Sequence, residues 1–180
     1  VAPANATADL FIKDGVVQDE WKDLGGQSVA VPGLLKTMDV LLKKYGSMSL
    51  AQVAEPAIRY AEEGFGCGYT CALTMFDDSV ERKLKLSKPM RRLYLKPDGS
   101  FYRFGETQKN PELGDLLKKI AEQGVDYFYK GETARKIVQL INERGGCYTL
   151  EDMANYEPKF RTPVRTSYRD CEVVAFSPPS

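Results

Sequence analysis

The residues able to do chemistry are few and stand apart. The 180 residues contain no histidine. That removes a Ser-His-Asp or Cys-His arrangement from the chain itself, because both need an imidazole to take the proton from the nucleophile. Cys67 and Cys71 are four apart, which on a helix puts both thiols on one face. That is half of a zinc site. Zinc takes four ligands, however, and the remaining cysteines, Cys147 and Cys171, are remote in sequence. The even number of cysteines also admits a disulfide in an exported protein. Plain thiols, buried or at the surface, are the simpler reading.

Glu62-Glu63 and Glu151-Asp152 are adjacent acidic pairs. Neighbouring helical residues point about 100° apart, so neither pair makes an acid–base couple. Gly145-Gly146 and Gly64-Phe65-Gly66 follow helical stretches instead of opening them, which is the wrong order for a phosphate loop. Arg82, Lys83, Lys85, Lys88, Arg91, Arg92 and Lys96 concentrate positive charge, a pattern that can mark nucleic acid. No nucleic-acid motif accompanies them and the net charge is zero, so a solvated face is expected and no nucleic-acid partner. Phe101, Tyr102 and Phe104 could stack bases. Filling a local core under a hairpin turned at Pro97-Asp98-Gly99-Ser100 is the preferred reading. No catalytic residue, substrate-binding residue, metal ligand or cofactor is assigned within the chain.

The elements that would position any site are clearer. A content of 43% hydrophobic and 28% charged residues is that of a globular chain, and no apolar run reaches the roughly 20 residues of a membrane helix. Asn5 or Thr7 is expected to cap a short helix carrying Leu10 and Phe11 inward. Asp14 to Gln27 reads as a loop pinned by Trp21, and Ser28 to Val31 as a short extended run before the Pro32-Gly33 turn. Leu34, Leu35, Met38, Leu41, Leu42 and Tyr45 repeat at helical spacing and are expected in the core. Ser49 and Gln52 form a capping box for the next helix, in which Pro56 predicts a break or kink. A helix is expected from Cys71 to Leu86 with Ala72, Met75, Phe76 and Val80 inward. Asn110-Pro111 opens another, with Leu113, Leu116, Leu117, Ile120 and Ala121 inward and Gly124 as its stop.

The last third is the most legible. Ala134, Ile137, Val138, Leu140 and Ile141 keep a helical period from Thr133 to Arg144, and Gly145-Gly146 ends it. Thr149 and Asp152 approximate a capping box for a short helix that stops before Pro158. Pro163 to Tyr168 and Cys171 to Phe176 read as strands broken at Arg169-Asp170.

Several runs carry a resemblance. FYKGETARKIV at 128–138, GG-x-x-T-x-E-D-M-A-x-Y at 145–156, R-T-P-V at 161–164, Y-R-D-x-x-V at 168–173 and the closing P-P-S are similar, in order, to the large subunit of γ-glutamyltranspeptidases. VPGLLKTMDVLLKKYG at 31–46, EPAIRYAEEGF at 55–65 and QKNPELGDLLKKIAEQG at 108–124 also resemble it. Asp77 to Tyr94 resembles it least. Met153 replaces a usual Leu and Asp170 a usual Gly.

The resemblance implies an α+β chain: one mainly helical segment, residues 1–180, of the αββα sandwich of N-terminal-nucleophile hydrolases, with a few short strands. It implies a precursor that cuts itself, with the small subunit as partner. The nucleophilic Thr would lie on that subunit, and a carboxylate-binding Arg just before Val1. Substrates would be γ-glutamyl amides such as glutathione, with water, amino acids or peptides as acceptors, and the place of action periplasmic or secreted. Ser180 would stand near the nucleophile-facing loops only by analogy. A cephalosporin acylase, a capsule transpeptidase or a non-catalytic helical interaction module are the alternatives.

Overall fold

A computed structural model describes residues 1–177 of the chain. Pro178, Pro179 and Ser180, including the closing P-P-S run, lie outside the described residues.

The chain begins with turns, not with the expected capped helix: β1 is Ile12–Lys13, and it pairs antiparallel with β2, Val16–Val17. Asp14 and Gly15 make the tight turn between them, with φ of 52° and 77°. Leu10 and Phe11 are half-buried all the same. The stretch read as a loop then forms α1, Asp19–Asp23, and a single 3₁₀ turn, Gly26–Ser28. Acidic residues in the first turn of α1 and Lys22 in its last suit the helix dipole. Val31 follows, buried, with its amide donating to the Val1 carbonyl at 2.9 Å.

Helix α2 is Leu34–Tyr45. Its apolar stripe is not all core: Leu34, Met38, Leu41 and Tyr45 are exposed, whereas Leu35 and Leu42 are half-buried. Helix α3, Leu50–Glu63, carries the capping box of Ser49 and Gln52 in full. It runs through Pro56 without breaking; the missing amide costs one turn's bond to the Gln52 carbonyl, which the surrounding turns outlast.

Strand β3, Phe65–Gly66, pairs with β4, Thr107–Gln108, a tie not visible in the local pattern. Between them, the helix expected over 71–86 is split into α4, Tyr69–Met75, and α5, Asp78–Leu86, and a further helix, α6, Lys88–Tyr94, follows. Asp77 causes the first break, because its carboxylate accepts from the Ser79 amide at 2.9 Å and starts a new helix. Phe76 is thereby left 60% exposed instead of inward, edge-on to Phe101 at 5.8 Å. The hairpin at Pro97–Ser100 reduces to one bridge, Leu95 to Phe101.

Helix α7, Pro111–Gln123, is capped by Asn110, whose side chain accepts from Leu113 N at 3.1 Å. It lies along α3, and Gly114 is buried where a Cβ would meet the Glu62 side chain. Leu113 is exposed, so the buried stripe of α7 is Ile120 with Leu116 and Leu117 half-buried. Then come α8, Asp126–Lys130; α9, Glu132–Asn142; and α10, Leu150–Ala154. Gly145, at φ 85°, closes α9, and the Gly146 amide returns to the Ile141 carbonyl at 3.0 Å.

The core gathers Val31, Ile120, Val125, Tyr129, Ala134, Ile141, Tyr148 and Met153. It thus joins the end of the N-terminal segment to α7–α10. Strands β5, Val164–Tyr168, and β6, Cys171–Ala175, form a hairpin in the register Val164–Ala175 to Tyr168–Cys171. Every residue of both strands is exposed. The chain is α+β, helices with three small antiparallel strand pairs among the described residues.

Candidate functional site

Asp152 organises the most polar corner of the molecule. It is the third residue of α10, placed there by Thr149 at the cap. Its Oδ2 accepts from the Thr149 amide and hydroxyl, each at 2.8 Å, while the Asp152 amide donates to Thr149 Oγ1 at 3.0 Å. Its Oδ1 accepts from the Ala4 amide at 2.8 Å, 148 positions away. Burial by itself would push the Asp152 carboxyl up, but the hydrogen bonds from Ala4 and Thr149 hold it below the usual carboxylate range. It is an anion with its lone pairs occupied, and so a structural anchor, not a proton acceptor. Glu151 next to it is exposed, so the adjacent pair stays split, as its spacing requires.

Beside this anchor lies a cleft of about 520 Å³, lined by residues of the N-terminal segment (Ala4, Asn5) and of α10 and its sequel (Asp152, Asn155, Tyr156). Tyr129 stiffens the wall behind it. Its hydroxyl donates to the Pro32 carbonyl at 2.8 Å and accepts from the Lys36 amide at 3.1 Å, and its ring stacks on Tyr156 with centroids 6.4 Å apart. A second concavity, about 350 Å³ and largely apolar, runs between α2 and the β5–β6 hairpin past Leu41, Phe160, Pro163 and Phe176.

The other sequence candidates resolve one by one. Glu62 turns to Lys118 on α7 while Glu63 is exposed. In the basic run, Lys83 faces Asp23 at 3.1 Å, Arg92 faces Glu112 at 2.6 Å and Lys96 faces Glu106 at 3.0 Å. Gln108, buried, ties this layer down by donating to the Leu93 carbonyl at 2.9 Å. Phe101 and Tyr102 are half-buried but Phe104 is 69% exposed, edge-on to Tyr69. Cys67, buried, directly follows β3, and Cys71, half-buried, lies within α4, so the two do not share one helix; Cys147 precedes α10 and Cys171 is exposed on β6. Among the described residues no three of Cys, Asp and Glu come together as metal ligands. The Ala4–Asp152 and Tyr129–Pro32 ties were invisible in the sequence, because nothing local marks a backbone partner a hundred residues away.

The residues present therefore form a scaffold with an anchored N-terminal segment. Sequence comparison over residues 1–180 matches the family described as Gamma-glutamyltranspeptidase. The chain belongs to the γ-glutamyltranspeptidase family. It is 35% identical to the glutathione hydrolase proenzyme of Escherichia coli (strain K12), over 100% of this chain and 31% of that protein. The crystal structure of Helicobacter pylori γ-glutamyltranspeptidase superposes with a TM-score of 0.92 at 32% identity, covering 99% of this chain and 51% of that one. The Bacillus anthracis transpeptidase CapD superposes at 0.74 with 30% identity, over 84% of this chain and 51% of its own. This γ-glutamyltranspeptidase-family chain thus spans about a third of the length of the curated relative and half of the solved chains.

Proposed function

We propose that this chain is one segment, residues 1–180, of the large subunit of a self-processing γ-glutamyltranspeptidase. The carrying observation is the family match along the whole chain together with the TM-score of 0.92 to the H. pylori enzyme. In this reading the precursor cuts itself, and the new N-terminal Thr of the small subunit attacks the γ-carbonyl of a γ-glutamyl amide such as glutathione. Its own α-amine takes the hydroxyl proton. The acyl group then passes to water or to the amine of an amino acid or peptide. None of these groups lies in residues 1–180, so the segment by itself is inactive.

The segment's contribution is positional. The Asp152–Ala4 bond fixes the backbone just after the place where the family resemblance puts the carboxylate-binding Arg. The β5–β6 hairpin and the exposed stripe of α2 supply a strand edge and an apolar face for the rest of an αββα sandwich. A membrane anchor is no part of this proposal; among the described residues no helix is long and apolar enough to cross a membrane. The likeness to the transpeptidase CapD supports a second reading, a capsule transpeptidase that acts on a different acyl group. Offering the full-length protein a γ-glutamyl anilide distinguishes the two. Release of the aniline supports the first reading; a processed protein that leaves the anilide intact supports the second.

A further inference from the structure

Helix α4 is inverted. It buries Ala72, while Tyr69 and Leu73, one turn apart, are turned outward, and Phe76 just past its end continues their face. Phe104 joins them from the segment before β4, edge-on to Tyr69 with ring centroids 6.2 Å apart, and Phe101 lies edge-on to Phe76 at 5.8 Å. Tyr69, Leu73, Phe76 and Phe104 are each between 55% and 69% exposed, so they stand out as a ridge instead of lining a groove. Single exposed apolar residues are ordinary, but neighbouring large ones on one face mark an interaction surface. The ridge is also held in place. The Cys67 amide donates to the Glu106 carbonyl and the Gly105 amide to the Cys67 carbonyl, each at 2.9 Å, which fixes the start of α4 against the segment that carries Phe104.

The charge around the ridge is one-sided. Residues 67–110 hold nine Lys and Arg against five Asp and Glu, in a chain where both number 25. Arg103 is exposed next to Phe104. Helix α6 runs into Leu95, which bridges to Phe101, and its Lys88 and Arg91 are exposed with no ion pair among the described residues. The nearby acids are engaged instead: Asp77 and Asp98 accept from the Ser79 and Ser100 amides, each at 2.9 Å, and Glu106 pairs with Lys96.

We propose that this ridge and the basic residues around it form a peripheral docking surface for a bilayer that carries anionic lipid. Aromatic and aliphatic side chains enter the boundary between headgroups and acyl chains, while Lys and Arg stay level with the phosphates. A free polyanion such as nucleic acid would use the charge and leave the ridge idle. An amphipathic partner helix would need a groove, and these side chains protrude. Docking of this kind requires no membrane-crossing helix.

The test mixes the full-length protein with vesicles of phosphatidylcholine alone, or of equal parts phosphatidylcholine and phosphatidylserine, and floats them on a density gradient. The protein should rise with the anionic vesicles, stay behind with the neutral ones, and be released as salt is raised. Leu73→Ser with Phe104→Ser, and separately Lys88→Glu with Arg91→Glu, should each lower the bound fraction about tenfold or more. The melting temperature should not move, since all four side chains are exposed. Val16→Ser, exposed elsewhere, should change nothing. The proposal is overturned if the protein floats with neither kind of vesicle or equally with both, or if either pair of substitutions floats as the native protein does. It is also overturned if short DNA is bound in place of vesicles, or if the ridge substitutions instead abolish self-association without lipid, which would make a second copy the occupant. Flotation is read without any enzymatic assay, so its failure leaves the enzymatic reading untouched.

Discussion

The Asp152 carboxylate accepts the Ala4 amide at 2.8 Å while capping its own helix, so one side chain ties the N-terminal segment to α10. Replacing it by Ala removes a cap and a tertiary bond together. Asp152→Ala should cost about 1–3 kcal/mol of stability, read by urea unfolding, a cap being worth about 1 kcal/mol and a hydrogen bond to a charged group about 1.5–3. Asp152→Asn keeps the shape and should cost less. Equal losses would mean that the neutral amide recovers nothing and that the charge carries the whole effect.

The same group sets a pH dependence. Its folded pKa is depressed, so its contribution is fully present above the unfolded carboxylate value and is lost as pH falls through the folded one. The stability difference between the native chain and Asp152→Asn should therefore be constant near neutrality and shrink in acid, followed by urea midpoints across pH. A difference that grows on acidification contradicts this sign.

Two buried tyrosines should respond oppositely to loss of their hydroxyls. Tyr129 uses its hydroxyl twice, on Pro32 and Lys36. Tyr129→Phe strands both backbone groups and should destabilise by about 1–3 kcal/mol. Tyr148 is 3% exposed, and its hydroxyl has no hydrogen-bond partner among the described residues. Burial first, then the nearby Asp152 and Cys147, push its pKa up to about 12. Tyr148→Phe should be neutral or stabilising in the same unfolding assay.

At Gly26 the limit is space. A Cβ there would collide with the Ile141 carbonyl, and the Gly26 amide is already bound to the Arg144 carbonyl at 2.9 Å. Backbone on both sides cannot yield cheaply. Gly26→Ala should lower the melting temperature by more than Gly68→Ala, where nothing stands within 4 Å; differential scanning fluorimetry of the two variants decides it.

These residues also show what sequence alone could and could not reveal. The capping boxes at Ser49 and Thr149, the Asn110 cap and the Gly145-Gly146 stop are local chemistry, and each stands where its spacing put it. The α2 stripe has the correct period, yet Leu34 and Tyr45 are exposed at 67% and 68%, because period says which face is apolar and not what covers it. The helix expected over 71–86 breaks at Asp77, because its carboxylate caps a new helix within the apolar period. The early helix failed because the stretch from Asn5 spends its amides on turns, such as Leu10 to the Thr7 carbonyl at 3.2 Å. Pairing of β3 with β4 spans some forty residues and had no local mark.

The exposed β5–β6 hairpin carries its own expectation. Its unpaired edges, with Val173 and Val174 uncovered, should make residues 1–180 alone associate as concentration rises. Sedimentation velocity across a dilution series reads this directly, and a strictly monomeric, cooperatively folding chain at high concentration contradicts it.

The central claim is tested most directly on the full-length precursor, by a denaturing gel run beside an assay of γ-glutamyl-anilide hydrolysis. Two bands with released aniline are predicted, with residues 1–180 in the larger band. One uncut band without release would contradict the claim and leave the chain as a helical scaffold.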